Sequence, residues 1–371
     1  MIHVALDTNI YRKKPRLDSP EFRALVFLSK NGCIRLHVPF FVENEFKSQI
    51  ELDQKKRVES ILTILSKVCD YQYHGPITSD LVSIIESLGE SKNEIIAERG
   101  NDFIQWLAEM NAIRYDLNSK ETNDALYTYF NGKPPFKEPK IRKDIPDSFI
   151  YQTLLNIHNS ENLHVVVEDG KLRDSCIEAG MICYKELTEF IKSDEANLLL
   201  QEKIRNDVLG TLESQIQEFL NNHNSLIVDK VEEKLLSDEY RMISGDYIPG
   251  ESNEIYVSGV NEPHELKLDE NIEYYGDSLF VVGFSAKVEF TYEYAVYKSD
   301  AYELDPKKYY LEYLNDHYFN VETTDEFTFT GRVELDYDMD LESVESVAQL
   351  LASLSDPAVT IEELDEFAVN A

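Results

Sequence analysis

The chain has 371 residues and a formal net charge of −34, from 36 Lys and Arg residues against 70 Asp and Glu residues. A hydrophobic content of 43% is too high for a wholly disordered chain, and the length predicts two or three domains. No apolar run approaches the roughly 18 residues of a membrane-spanning helix, so we expect no membrane partner. Four cysteines without CxxC spacing favour reduced thiols in a cytoplasmic protein over a zinc cage or disulfide framework: Cys33, Cys69, Cys176 and Cys183.

The negative charge is concentrated in one half of the chain. Residues 1–200 hold 25 basic and 31 acidic residues, a net of −6, whereas residues 201–371 hold 11 and 39, a net of −28. Neutralising phosphate groups requires clustered Lys and Arg, so the second half is a poor nucleic-acid binder. We therefore expect two domains of different composition.

The first half alternates short apolar runs with helical patterns. Such runs, bounded by turn signals and separated by helices, predict a parallel sheet in an α/β domain. The predicted strands are residues 2–6, 34–38, 163–167 and 181–184. The predicted helices are 43–69, 92–129 with an interruption near Gly100 or Asn118, 147–156 and 172–178.

The second half has different periodicities. Residues 196–238 predict one or two amphipathic helices, and residues 254–338 alternate apolar and polar side chains as antiparallel strands with one wet face do. The acidic tail, 341–371, predicts one helix near 342–354 with frayed surroundings. The tyrosines between residues 274 and 313 favour half-buried sheet faces and a protein contact surface over a stacking surface for single-stranded nucleic acid, because the local charge is strongly negative.

Carboxylates occur where the predicted strands end. Asp7 and Asp169 directly follow strands, and Glu45 and Asp147 lie in the first turns of helices. In an open parallel sheet the crevice at the carboxyl ends of the strands is the usual ligand site. Several carboxylates gathered there would repel one another unless cations neutralise them, and hard oxygen ligands suit Mg²⁺ or Mn²⁺.

Four segments carry a resemblance to a known family. They are VALDTNIY (4–11), VPFFVENEF (38–46), DIPDSFIYQTLL (144–155) and VVVEDGKLRD (165–174). Together they resemble a PIN-domain nuclease over about residues 1–192. The resemblance implies a Rossmann-like three-layer α/β/α fold with an acidic metal-binding cluster that cleaves RNA or, in some branches, flap-type DNA.

Residue by residue, the resemblance implies that Asp7, Glu45, Asp147 and Asp169 are catalytic metal ligands. Asp174 is implied as an additional ligand for Mg²⁺ or Mn²⁺. Thr8 and Asn9 are implied to orient Asp7 through side-chain hydrogen bonds. Glu43 competes with Glu45 for its role, and Asp144 competes with Asp147.

Each of these acids also has an ordinary structural interpretation. Asp7 and Asp147 fit helix caps, Glu45 fits a first-turn acid favoured by the helix dipole, and Asp169-Gly170 fits a turn. The basic residues near the acids allow two readings as well, namely phosphate binding or a solvated loop. Those assigned to substrate binding are Arg12, Lys13, Lys14 and Lys143.

The sequence thus predicts a PIN-like domain with a helical insertion at 1–192, a helical linker at 193–250, and an acidic α+β domain with an antiparallel sheet at 251–371. The leading hypothesis is a metal-dependent endonuclease acting on nucleic acid, RNA being favoured. One alternative is a catalytically degenerate PIN fold that binds or regulates. Another is a nuclease inhibited by its own acidic domain, which is also the predicted site of a protein partner.

Overall fold

The structure, a computed structural model, forms two compact units, Met1–Leu199 and Leu200–Ala371. It describes residues 1–69, 76–133, 135, 145–237, 240–244, 254–302, 304, 308–338, 341, 344–362 and 364–369. Within these residues, no helix combines the length and the apolar character needed to cross a membrane.

The first unit alternates strands and helices. In chain order they are β1 (Ile2–Leu6), α1 (Thr8–Lys13), α2 (Pro20–Lys30), β2 (Ile34–Val38), α3 (Phe40–Cys69), α4 (Pro76–Glu109), β3 (Ile113–Arg114), α5 (Ser119–Asn131), α6 (Ile145–His158), β4 (Leu163–Val166), α7 (Gly170–Glu178), β5 (Ile182–Tyr184), α8 (Leu187–Ile191) and α9 (Asp194–Gln201).

The five strands of this unit form one parallel sheet in the order β3-β2-β1-β4-β5. The central strands β1, β2 and β4 are buried over most of their length, which is why they read as continuous apolar runs. The predicted parallel α/β domain is therefore confirmed. The prediction missed β3, because its two residues are both exposed and leave no hydrophobic pattern.

The direction of the chain across this sheet reverses next to β1. The connection after β1 leads to β2 on one side, whereas the connection after β4 leads to β5 on the other. Right-handed crossovers then place the helices on opposite faces. Accordingly, α2 packs against β2 and α8, whereas α6 packs against β4, α5 and α7. The predicted three-layer α/β/α arrangement is confirmed, and its topological switch point lies between β1 and β4.

Helices α3 and α4 form an antiparallel hairpin. Lys92 Nζ lies 2.6 Å from Glu59 Oε1, and further along the pair Gly100 meets Glu51. A Cβ at residue 100 would meet only the ends of the flexible Glu51 and Lys47 side chains, which can move aside. The predicted interruption occurs at Asn118, whose side chain caps α5, and not at Gly100, through which α4 continues to Glu109.

Two histidines lie in a hydrogen-bonded chain beside the sheet. His37 Nε2 lies 2.9 Å from His3 Nδ1, and His37 Nδ1 lies 2.7 Å from the Tyr115 hydroxyl. The outer ring nitrogen of His3 lies 3.4 Å from Glu161. Burial, followed by the neighbouring His3 and Arg35, lowers the pKa of His37 to about 4. The folded protein therefore holds His37 neutral at physiological pH.

This lowered pKa predicts an acid-sensitive contribution to stability. The unfolded chain protonates His37 near its ordinary value of 6.5, so the stabilisation is present above that pH and is lost as the pH falls toward about 4. The thermal midpoint of the wild type should fall as the pH is lowered. We expect this fall to be several degrees smaller in His37→Gln, the equivalent of about 2 kcal/mol of unfolding free energy. Thermal unfolding of both proteins from pH 7.5 to 4.5 measures this difference. A constant difference across that range would contradict the assignment.

The second unit begins with two helices and continues mainly as strands. In chain order they are α10 (Asn206–Asn222), α11 (Asn224–Leu235), β6 (Met242–Ser244), β7 (Glu254–Val260), β8 (His264–Tyr274), β9 (Leu279–Tyr297), α12 (Lys298–Ala301), β10 (Tyr310–Tyr313), β11 (Tyr318–Asp336), α13 (Val347–Ser353), β12 (Ala358–Ile361) and β13 (Asp365–Val369).

The sheet of this unit is built on β9 and β11, two antiparallel strands of 19 residues each. Shorter strands complete both of their outer edges: β7 and β8 pair with β9, and β10, β12 and β13 pair with β11. Val288, Phe290, Tyr292 and Tyr294 are buried, as the alternation predicts. The predicted antiparallel sheet is thus confirmed.

The tail differs from its prediction. The helix is shorter, running over Val347–Ser353, and the residues after it form β12 and β13 on the edge of β11. These strands have only four and five residues, and acidic side chains flank them. Composition therefore suggested fraying where tertiary pairing imposes a strand.

Candidate active site

Asp7 lies at the carboxyl end of the central strand, beside the switch point. Its backbone N–H donates to the carbonyl of Val166 at 2.9 Å, which ties the end of β1 to the end of β4. The residue is only 6% exposed. It precedes α1 at the N-cap position, yet its side chain makes no capping hydrogen bond. A capping role alone therefore does not account for this buried carboxylate.

Burial perturbs the Asp7 carboxyl strongly. Desolvation, together with the nearby charges of Glu45 and Asp169, raises its pKa from 3.8 to about 6, although the N–H groups of Thr8 and Asn9 act in the opposite direction. The Asn9 side chain also donates to Asp7 Oδ2 at 3.3 Å. Three acids thus interact electrostatically at one edge of the sheet, where a bound cation would relieve their repulsion.

Glu45 and Glu43 have different environments, although both lie early in α3. Thr8 Oγ1 donates to Glu45 Oε2 at 2.9 Å. The side chain of Thr8 therefore orients Glu45, whereas the sequence predicted that it would orient Asp7. Glu43 instead accepts two hydrogen bonds from Arg114, at 2.6 and 2.5 Å, and thereby joins α3 to β3. The geometry favours Glu45 as the acid that faces the Asp7 site.

Asp169 and Asp147 begin the helices on either side of β4. One oxygen of Asp169 accepts the N–H of Leu172 at 2.9 Å and caps α7, which leaves its second oxygen for another ligand. Asp147 is half-buried in the first turn of α6. A ring contact of 4.5 Å between Phe41 and Phe149 holds the start of α6 against the start of α3.

The remaining predicted acids lie further out or outside the described residues. Asp174 is exposed in the middle of α7, one turn beyond the Asp169 cap. Asp144, the competitor of Asp147, falls in the segment 136–144, which the structure does not describe. The predicted phosphate-binding residue Lys143 falls in the same segment.

The described residues contain no group of three or more His, Cys, Asp or Glu side chains gathered closely enough to hold a metal ion as they stand. The candidate donors, Asp7, Glu45, Asp147 and Asp169, are nevertheless all carboxylates, whose oxygens Mg²⁺ and Mn²⁺ prefer. The perturbed Asp7 carboxyl, with Glu45 and Asp169 beside it, has the charge of a cation site. The residues therefore fit a divalent metal in donor type and charge.

An aromatic cluster fixes α1 against the α3–α4 hairpin. Tyr11 is fully buried and its ring lies 5.4 Å from that of Phe46, the neighbour of Glu45 in sequence, and 5.5 Å from Phe103 of α4. Contacts of this kind contribute about 1 kcal/mol each beyond the burial of apolar area. They hold the helix that follows Asp7 against the helix that carries Glu45.

The predicted cations differ in availability. Lys13 lies 3.1 Å from Glu168 and 3.9 Å from Glu186, so acidic neighbours already neutralise it. Arg12 is exposed on the first helix, and Lys14 is half-buried.

Sequence reasoning missed two further exposed cations, Lys171 and Lys185. They follow β4 and β5 at the same edge of the sheet as Asp7. Their position just after two predicted strands was the signal that could have identified them.

Comparison with known families agrees with this geometry. The family described as PIN domain matches residues 4–171, a little under half of the chain, and the matched segment contains Asp7, Glu45, Asp147 and Asp169. No curated protein and no solved structure matches the chain. Residues 4–171 thus match the PIN domain family, as the four sequence segments predict.

Proposed function

We propose that the first unit is a metal-dependent endonuclease and that RNA is its preferred substrate. The observation that carries the proposal is the buried Asp7 carboxyl at the switch point, whose pKa burial, Glu45 and Asp169 raise to about 6. Perturbed carboxyls in a crevice are frequent in active sites. Within a PIN domain, they support phosphodiester hydrolysis.

Asp7, Glu45, Asp147 and Asp169 are the proposed ligands of Mg²⁺ or Mn²⁺, with Asp174 as an additional outer ligand. Divalent cations would supply Lewis-acid activation of water and neutralise charge on the phosphate. The protein's part is orientation: Thr8 holds the Glu45 carboxylate, and Asn9 holds that of Asp7.

The proposed substrate contacts come from the cations around the same edge. Arg12 and Lys14, with Lys143 before α6, would hold phosphates on either side of the acids by charge-assisted hydrogen bonds. Lys13 joins them if phosphate displaces Glu168 from it. Lys171 and Lys185 extend the same path along β4 and β5. We propose that the acidic second unit binds a protein partner. A cytoplasmic location remains a prediction.

The direct test is cleavage of labelled single-stranded RNA, tRNA and single-stranded DNA with Mg²⁺ or Mn²⁺, with Asp7→Asn as the control. We expect metal-dependent cleavage of RNA by the wild type and none by the variant. Equal cleavage by both proteins would refute the assigned site. Cleavage of DNA alone would refute the preference for RNA.

The alternative is a degenerate PIN fold that binds without cleaving. It is favoured by the absence of a ready group of three ligands among the described residues. A Mn²⁺ titration distinguishes the two, because acids that share a cation site raise the thermal midpoint as the metal binds. An unchanged midpoint in millimolar Mn²⁺, together with no cleavage of any substrate, would favour the alternative.

A further inference from the structure

A cavity of about 260 Å³ lies in the first unit, between the segment that follows α1 and the α3–α4 hairpin. The residues that matter for its chemistry are Arg16, Leu17, Arg99, Asp102, Trp106 and Glu109. We call it the Trp106 cavity. Helix α1 connects it to the candidate active site, because that helix begins directly after Asp7 and ends two residues before the first residue of the cavity wall, Pro15.

Trp106 contributes an unpaired hydrogen-bond donor to this region. The residue lines the cavity, and its rings pack edge-on against those of Tyr11 and Phe22, with centroids 6.1 and 5.8 Å away. The indole N–H is buried and has no hydrogen-bond partner among the described residues. Folded proteins rarely leave a buried donor unpaired, because its desolvation is then uncompensated. The orphaned N–H therefore indicates that a bound molecule supplies an acceptor.

The segment that carries Arg16 has an unusual backbone conformation. Leu17 has a φ of +59°, in the left-handed region that residues other than glycine rarely adopt, and its side chain is buried. Its N–H donates to the carbonyl of Lys14 at 2.9 Å, which closes the turn. Strained turns of this kind are frequent in ligand-binding segments.

This turn places an available cation at the cavity. Arg16 lines the cavity and is exposed, and it forms no hydrogen bond or ion pair with any described residue. An arginine guanidinium can both stack on a planar group and donate a pair of parallel hydrogen bonds. Arg16 is therefore free to bind a ligand that enters the cavity.

The charges around the Trp106 cavity balance one another. Arg16 and Arg99 stand against Asp102 and Glu109, and Arg99 already pairs with Asp102 at 3.2 Å. A bare phosphate would need an excess of cations, and a cationic side chain would need an excess of acids. The balanced set suits a neutral ligand that has hydrogen-bond acceptors on one edge and donors on another.

The aromatic wall and the size of the cavity favour a nucleobase. The rings of Phe103 and Trp106 stack within 16° of parallel, and bases stack on such rings and on guanidinium planes. The volume lies below the roughly 300–1,000 Å³ of most small-molecule pockets, so it limits the occupant to about one nucleotide. Guanine matches the polar groups best, because arginine binds its O6 and N7 as a pair while carboxylates accept from the amino groups of bases.

We propose that the Trp106 cavity binds one unpaired guanine base of the RNA substrate. The choice of ligand rests on the proposed nuclease function. Arg16 donates to O6 and N7, a carboxylate oxygen of Asp102 or Glu109 accepts from the opposite edge, and the indole N–H of Trp106 donates to an oxygen of the same nucleotide. A guanine held beside α1 would determine which phosphodiester bond of the strand reaches Asp7.

The test uses the intrinsic fluorescence of the full chain. Trp106 is its only tryptophan, so fluorescence excited where nucleotides do not absorb reports on this cavity alone. The probes are the RNA pentamers UUGUU, UUAUU, UUCUU and UUUUU, titrated in EDTA so that binding is measured without cleavage. The test variant is R16Q, and the matched control is R57Q, which removes the same charge from an exposed residue of the first unit outside the cavity.

We expect UUGUU to quench the fluorescence and to bind at least about tenfold more tightly than the other three pentamers. R16Q should lose this preference, whereas R57Q should keep it. Equal quenching by all four pentamers, or an undiminished preference in R16Q, would overturn the proposal.

The absence of metal separates this test from that of the nuclease. Cleavage of RNA without guanine-selective quenching would overturn the guanine site and leave the proposed nuclease standing. Guanine-selective quenching by a protein that cleaves no substrate with Mg²⁺ or Mn²⁺ would support the site and refute the nuclease.

Discussion

Replacing Asp7 by Asn should abolish metal-dependent cleavage and stabilise the metal-free protein at neutral pH. The loss of activity is expected to be at least about 10³-fold, roughly 4 kcal/mol of transition-state stabilisation, because the variant lacks the central anionic ligand. The gain in stability follows from burial. The pKa of Asp7 is raised to about 6, so the folded protein must hold an unfavourable buried charge above that pH.

The size of this gain in stability depends on pH. A raised carboxyl pKa contributes stability that is present below about 3.8 and lost as the pH rises through about 6. The variant should therefore gain about 2 kcal/mol, or some 4–8 °C in the thermal midpoint, at pH 7.5, and much less at pH 4.5. Mn²⁺ should raise the midpoint of the wild type but not of the variant.

Asp18→Asn is the matched control, because Asp18 is an exposed acid of the same unit. It should leave cleavage, the metal-free midpoint and the response to Mn²⁺ unchanged. A less stable Asp7→Asn protein, or one still stabilised by Mn²⁺, would contradict the assignment of Asp7 as a buried ligand.

Glu45→Gln should mainly lower cleavage, whereas Glu43→Gln should mainly lower stability. Glu45→Gln is expected to lower cleavage about 10²-fold with little effect on folding, since the residue is exposed and keeps an oxygen that can accept from Thr8. Glu43→Gln should retain cleavage but lose about 1 kcal/mol of stability, because it weakens the paired hydrogen bonds to a half-exposed Arg114.

Cleavage rates and thermal midpoints measured on both variants separate these roles. The two residues lie half a helical turn apart, so a general disturbance of α3 would affect both variants alike. Loss of cleavage in Glu43→Gln alone would reverse the assignment. Equal loss in both would show that α3 acts as a unit and not through one carboxylate.

Much of the first unit could be predicted because its information is local. Strands such as β1 and β4 are buried on both faces and must be apolar throughout, and Asp7 and Asp169 then stand out as charges at their ends. The β3 strand could not be found in this way, because two exposed residues pair with β2 only once the hairpin has brought them there.

The side-chain contacts at the site could not be predicted from the sequence for a related reason. Thr8 and Glu45 are 37 residues apart, and Lys13 meets Glu168 only because β1 and β4 are neighbours. Sequence spacing places residues at the edge of a sheet but not their rotamers. In the same way, Gly100 suggests a helix break in the sequence, whereas packing against α3 keeps α4 continuous through it.

The strands around the β9–β11 pair must assemble in a definite order while the chain is being synthesised. The two strands are joined by a connection of about 20 residues, so they can pair as soon as both have left the ribosome. The outer edge of β11 stays open until β12 and β13, which come later in the chain, close it. During that interval β11 presents unpaired backbone groups to other nascent chains. Its regularly spaced acidic residues, among them Glu322, Glu326 and Glu334, then act as gatekeepers that discourage pairing between copies.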